Sequence, residues 1–337
     1  MLGYLRFFLA TLVLLTHTGI RFHDFNFGIA AVVSFYMLAG LVVCGLLSKM
    51  FPEGGPVYFR FYVERLLRIF PTYLFIFTLV CIFLIISQYG RTEFNLVKLI
   101  NNILIIPINY FMIFDNWILT EPKSLIIPPA WSLGLELQAY VILPFIVYYK
   151  PVKIIVSIVS LLVFIAACLG IVNTNYAGYM LLPGVMFIFV LGTLIFKTYL
   201  NESELDKFDI YFPIITYITL IILLVILGIQ NEFLVNYATD VIFGVLIGYP
   251  VIIYMVKSDR KMPLNALFGE LSYGIFLSHS AAMWIIDHYA LINIHTDQYY
   301  YNLLVFMISL LVSFVAVFAV DRNIKKIRFK LTKTIKS

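Results

Sequence analysis

Apolar runs of about 18 to 22 residues recur along nearly the whole chain, and each, wound as a helix, can cross a hydrocarbon layer of roughly 30 Å. Inside such a layer no water satisfies backbone N–H and C=O groups, so a crossing segment must close its hydrogen bonds internally. The 337-residue chain is 62% hydrophobic and 12% charged, a balance outside the range of soluble domains. The expected fold is therefore all-α, a polytopic transmembrane helical bundle of about ten spans. Hydropathy places them at 5–21, 27–48, 69–87, 131–149, 153–173, 179–197, 210–229, 237–256, 264–286 and 301–321. Residues 88–130 hold a shorter apolar run broken by Pro107 and read as an outer, interfacial or re-entrant segment, while 322–337 read as a basic cytoplasmic tail. The first run carries no small-residue cleavage motif and reads as a retained span. With no internal repeat and no composition shift, 1–337 reads as a single membrane domain.

Ten spans return both termini to one side, and the charges test that count. Of 23 Lys and Arg, all but Arg21, Arg91, Lys98 and Lys123 fall on the side of the termini. Basic residues mark the cytoplasmic face, so both termini are expected there. The net charge of +5 then reports topology, not binding to nucleic acid. Cys44, Cys81 and Cys168 lie within apolar runs, where they act as small hydrophobes and offer neither a disulfide framework nor a CxxC metal site.

An ionisable group inside a span costs at least a few kcal/mol and generally faces a cavity or a partner. Three stand out: His17, Glu136 and His279. Each reads either as chemistry or as a buried polar contact that fixes helix packing. Arg6 and His17 are eleven residues apart, close to three turns, which puts them on one face of the first helix about 16 Å apart. An anion held at Arg6 could extend an arm toward His17. Arg65 and Arg68, spaced i, i+3, present two guanidinium forks that suit phosphates, although topogenic anchoring produces similar pairs. In the fourth span Ser132 and Glu136 share a face, and the carboxylate lies in the same outer half as His17. A histidine and a carboxylate meeting in a protected cavity can deprotonate a hydroxyl. In the ninth span Ser272 and His279 share a face two turns apart. His279 reads as a ligand to substrate or as a packing donor. His23, His288 and His295 lie in outer loops.

Taken in order, Leu5-Arg-Phe-Phe-Leu-Ala-Thr-Leu-Val-Leu-Leu-Thr-His17, Ser34-Phe-Tyr-Met-Leu-Ala-Gly40, Arg65-x-x-Arg68 with Ile-Phe-Pro-Thr-Tyr73, Trp131-Ser-Leu-Gly-Leu-Glu136 and Ser272-Tyr-Gly-Ile-Phe-Leu-Ser-His279 resemble the acyltransferase 3 family of bacterial membrane O-acyltransferases. The chain departs from the family at Ala39, where Ser is frequent, and at Leu137, where a second acidic residue is frequent. It is similar to stand-alone members that lack an appended SGNH-type esterase domain. The resemblance implies transfer of an acyl group, most often acetyl from acetyl-CoA, to a hydroxyl of a cell-surface polysaccharide or its lipid-linked precursor. It also implies a multi-pass protein of the bacterial cytoplasmic (inner) membrane, with acyl-CoA, a glycan acceptor and the lipid bilayer as partners and no metal.

On that reading His17 is the general base and Glu136 its orienting partner. Arg6, Arg65 and Arg68 bind the donor phosphates, and Trp131, Ser132, Ser272, Tyr273 and His279 support the substrates or the fold. Tyr299, Tyr300 and Tyr301, with His295, offer rings on which sugars could stack, or belong to an interfacial aromatic belt. From the residues alone, buried His and Glu also suit an exporter of a glycan or lipid-linked intermediate.

Overall fold

The computed structural model describes residues 1–20, 25–50, 58–92, 94–114, 116–121, 124–200, 205–230, 237–258, 260–292 and 297–332. His23 and His295 lie outside them. Helices run in the order α1 (Leu2–His17), α2 (Phe27–Met50), α3 (Tyr58–Ser87), α4 (Leu96–Leu104), α5 (Ala130–Tyr148), α6 (Lys150–Cys168), α7 (Leu182–Tyr199), α8 (Lys207–Ile229), α9 (Tyr237–Lys257), α10 (Asn265–His288), α11 (Gln298–Ala316) and α12 (Arg322–Thr332). All except the short α4 and α12 coincide with the ten expected spans. Among the described residues eight of these helices are long and apolar enough to cross a membrane, and α1 is a shorter apolar helix. The protein is an all-α, multi-pass membrane bundle. The remaining long helix, α10, is polar for a span; its Ser272, Ser278, His279 and Ser280 are buried, and it packs along α1 and α11.

Local chemistry sets several helix ends. Pro151 and Pro183 stand in the first turns of α6 and α7, where no helical N–H is needed. Asp206 caps α8 and Asp209 returns the bond, forming a capping box. In contrast, α3 begins eleven residues before its expected span. Hydropathy detects the part of a helix that meets lipid, and the preceding segment, with Arg60, Arg65 and Arg68, continues the same helix beyond it.

The centre of the bundle is α2, which packs against α1, α5, α7 and α9. Its crossing with α7 is made by reciprocal glycines: a methyl at Gly40 would fall 1.9 Å from the Phe189 carbonyl oxygen, and one at Gly192 would fall 1.9 Å from the Met37 carbonyl oxygen. Only glycine allows the two backbones to approach so closely.

The segment 88–130 does not cross. The nine residues of α4 expose Leu96, Val97, Ile100 and Leu104 while Asn102 is buried, as an interfacial helix does. A 3-10 turn at Ile106–Tyr110 then carries Asn109 into the bundle, where its side-chain amide donates to the Met180 carbonyl at 2.8 Å and its oxygen accepts from Gln138 at 2.9 Å. A two-residue antiparallel pairing, Thr120–Glu121 with Ser124–Leu125, precedes α5. The expected basic tail is helical over 322–332, continues α11 through a π turn at Val317–Asp321, and docks on the start of α3 through Arg328 and Glu64. At this same end α1 meets α10, where Gly3 donates to Asn265 Oδ1 at 2.9 Å, and Lys153 of α6 bonds Asp206 and Asp209 of α8. Lys153 and Arg328 therefore lie at one end of the bundle, that of the chain's start.

Candidate active site

Two cavities lie along α1. The first, about 440 Å³, opens among the basic residues. Arg6 comes from α1, Arg65 and Arg68 from α3, Arg328 from α12, Glu136 and Tyr140 from α5, and Ser272 and Tyr273 from α10. Its arginines are held unequally. Arg65 is bonded through Nε to Glu64 at 2.6 Å and lies over the Tyr140 ring, 5.5 Å from its centroid. Arg68 is 4.0 Å from Asp321 and lies over the Tyr273 ring. Arg6 makes no hydrogen bond or ion pair with any described residue, so its donors remain available to an anion. Across the cavity the Tyr140 hydroxyl donates to the Glu136 carboxylate one turn before it.

The second cavity, about 140 Å³, is lined by Thr16, His17, Asn26, Trp131, Tyr179 and Tyr237 among others. Its rings are arranged edge to face, Trp131 with Tyr179 at 5.0 Å and Tyr179 with Tyr237 at 5.8 Å. The two cavities share Val32, Ser132 and Phe276. His17 lines the second cavity and not the first. Its Nδ1 is 2.7 Å from His279 Nε2, the two rings lying nearly parallel. Ser132 donates to the Pro129 carbonyl at 2.9 Å and Ser272 to that of Gly269 at 2.9 Å, while Tyr273 donates to the Ile69 carbonyl at 3.0 Å and thereby ties α10 to α3.

Comparison with known proteins settles the class. A family model described as an acyltransferase domain, that of the acyltransferase 3 family, matches residues 2–322. The chain belongs to this family. An uncharacterised protein of Aquifex aeolicus (strain VF5) is 35% identical over 214 residues, 64% of this chain and 95% of that relative. No solved structure matches.

In this membrane acyltransferase the expected site residues gather about the two cavities, with one difference in pairing. Arg6, Arg65, Arg68, Ser132, Glu136, Ser272 and Tyr273 line the first, His17, Trp131 and Ser132 line the second, and His279 backs His17. Glu136 does not orient His17: it accepts from Tyr140 among the arginines, and the imidazole is held by His279 instead. Depth in the membrane follows from position in a span, but the direction a residue faces depends on how each helix is rotated against its neighbours.

Tyr140 and Glu64 were within reach of the sequence, the first at i+4 from Glu136 and the second beside Arg65. Arg328 was not, because its charge is indistinguishable from topogenic neighbours. The tyrosines near 300 line neither cavity. Tyr299 and Tyr300 are exposed, and Tyr301 is buried with its hydroxyl donating to Asp287. His288 packs edge-on against Phe83 and Tyr89.

Proposed function

We propose that this acyltransferase moves an acetyl group from acetyl-CoA, admitted at the basic end, to a hydroxyl of a cell-surface polysaccharide or its lipid-linked precursor, admitted at the opposite end. The observation that carries the reading is the pair of cavities, one basic and one aromatic with His17 in its lining, that share Val32, Ser132 and Phe276. Basic residues face the cytoplasm, where acyl-CoA is made, and we assign the protein to the bacterial inner membrane. Arg6 and Arg68 hold the donor phosphates, with Arg65 fixed alongside by Glu64. The pantetheine arm then follows α1, along which Arg6 and His17 are about 16 Å apart. Glu136, an acceptor-only group when ionised, receives the amide N–H groups of the arm.

The acceptor enters against Trp131, Tyr179 and Tyr237, whose faces suit the C–H face of a sugar ring. His17 takes the proton of the acceptor hydroxyl as its oxygen attacks the thioester carbonyl. The acyl–sulfur bond breaks, the acyl–oxygen bond is complete, and the proton passes from His17 to the departing thiolate. No acyl-enzyme is required.

An exporter, which buried charges alone left open, gives way to the family membership. The test is acetyl transfer by the purified protein from isotopically labelled acetyl-CoA, with mass spectrometry of surface glycans from wild-type and deletion cells. His17→Ala is expected to abolish transfer while the protein remains folded, and Arg6→Gln to raise the KM for acetyl-CoA about tenfold or more, the loss of a charge-assisted contact. Full transfer by His17→Ala, or glycans of unchanged acetyl content, refutes the reading.

A further inference from the structure

We propose that His279 is a positioning residue that fixes the tautomer of His17 and aims its Nε2 lone pair at the second cavity. The inference rests on the function proposed above, which by itself requires a base at position 17 and says nothing of how that base is held.

His279 Nδ1 lies 3.3 Å from the Ile275 carbonyl oxygen, one turn earlier in α10. A carbonyl oxygen carries only lone pairs, so the hydrogen of that contact belongs to His279 Nδ1. His279 is fully buried, with 0% exposure, and no carboxylate among the described residues bonds to it. An imidazolium there would be a buried charge without a counterion, which is costly inside a membrane bundle. The ring is therefore neutral, and with Nδ1 protonated its Nε2 can only accept.

At 2.7 Å from that acceptor stands His17 Nδ1. The opposite tautomer of His17 would set two lone pairs against each other at this distance. His17 is thus protonated on Nδ1 and bare on Nε2. The hydrogen bonds run in one direction, from His17 through His279 to the Ile275 carbonyl, and they leave His17 with its basic nitrogen turned away from α10. His17 itself is exposed and lines the aromatic cavity, so the bare nitrogen faces the place where an acceptor hydroxyl is bound. This is the second-neighbour device by which the hydrogen bond at one ring nitrogen decides what the other can do. His279, expensive alone in a bundle, is satisfied by His17 on one side and by the backbone on the other.

The tautomer can be read without turnover. Full-length protein labelled with 15N-histidine, in lipid nanodiscs near pH 8, where imidazoles are neutral, is expected to show His17 protonated at Nδ1 and not at Nε2, with assignment from the spectrum of His17→Ala. In His279→Leu the His17 signal is expected to shift toward the Nε2–H form, and kcat to fall roughly 10- to 100-fold with the KM for acetyl-CoA unchanged. His279→Gln, whose amide oxygen can take the acceptor place of Nε2, is expected to keep kcat within about fivefold of wild type. A native His17 protonated at Nε2, or equal losses in the Leu and Gln variants, overturns the proposal. Where both variants fail to fold, the native spectrum alone decides. Wild-type protein that shows the Nδ1–H form yet transfers no acyl group would overturn the functional reading and leave the tautomer assignment standing, so the two failures are distinct.

Discussion

Arg328 of α12 donates to one oxygen of Glu64 through both Nε, at 3.0 Å, and Nη2, at 2.7 Å, while the other Glu64 oxygen holds Arg65. One carboxylate, 2% exposed, therefore joins a guanidinium of the basic cavity to α12. Removing it leaves Arg65 buried without its counterion, which costs about 3–5 kcal/mol at such sites. Glu64→Gln is expected to lower the Tm of the detergent-solubilised protein by several degrees and to weaken acetyl-CoA binding in a calorimetric titration. Arg328→Ala, at a more exposed position, should cost less in both measurements, because Glu64 keeps Arg65. Equal effects would mean that α12, not the carboxylate, holds the cavity together.

The reciprocal glycines of α2 and α7 make a stability prediction independent of chemistry. A methyl at Gly192 meets backbone at 1.9 Å and cannot be relieved by rotating a side chain, whereas one at Gly178 meets the Ala167 methyl at 3.4 Å and the Phe164 ring at 4.0 Å, both ordinary contacts. Gly192→Ala is expected to cost about 1–3 kcal/mol through forced separation of the helices, seen as a lower Tm, and Gly178→Ala to leave Tm nearly unchanged.

The spans were legible because lipid allows few alternatives: a segment of such hydropathy must be helical and must cross. His17, Glu136 and the arginines were legible for the same reason, since each is costly where it stands and so must have a use or a partner. Which partner was not legible. Hydropathy gives the depth of Glu136 and His17 but not the rotation of α1, α5 and α10 about their axes, and that rotation sends Glu136 to Tyr140 and His17 to His279. The same limit hid the second cavity, whose rings come from Trp131 in α5, Tyr179 before α7 and Tyr237 at the start of α9. No local spacing relates these three residues.

A pH prediction follows from the cap of α8. Burial opposes ionisation of Asp206, but the Asp209 backbone N–H and the Lys153 ammonium favour it more, and together they hold the carboxyl down to about 2. A carboxylate with a depressed folded-state value stabilises the fold above its ordinary titration range, and that contribution fades as the pH falls toward the folded value. Asp206→Ala is therefore expected to lower Tm at neutral pH, with the loss of the cap alone worth about 1 kcal/mol. The gap to wild type should narrow between about pH 4 and pH 2. A gap independent of pH over that range would remove the ion pairs from the account.

On the proposed function the aromatic cavity takes the acceptor and the basic cavity the donor, so the two can be perturbed separately within one protein. Trp131 and Tyr179 meet edge to face in the second cavity, and neither lines the first. Replacing Trp131 by Leu keeps an apolar wall but removes the broad ring face on which a sugar can lie, a contact worth roughly 1 kcal/mol or more. The KM for the glycan acceptor should rise about five- to tenfold, while the KM for acetyl-CoA should not change. Tyr299→Leu, far out on an exposed face, is the matched control and should alter neither constant. A rise in the acetyl-CoA KM of Trp131→Leu, with the acceptor KM unmoved, would mean that the donor and not the acceptor occupies the second cavity, and the direction assigned to transfer would have to be reversed.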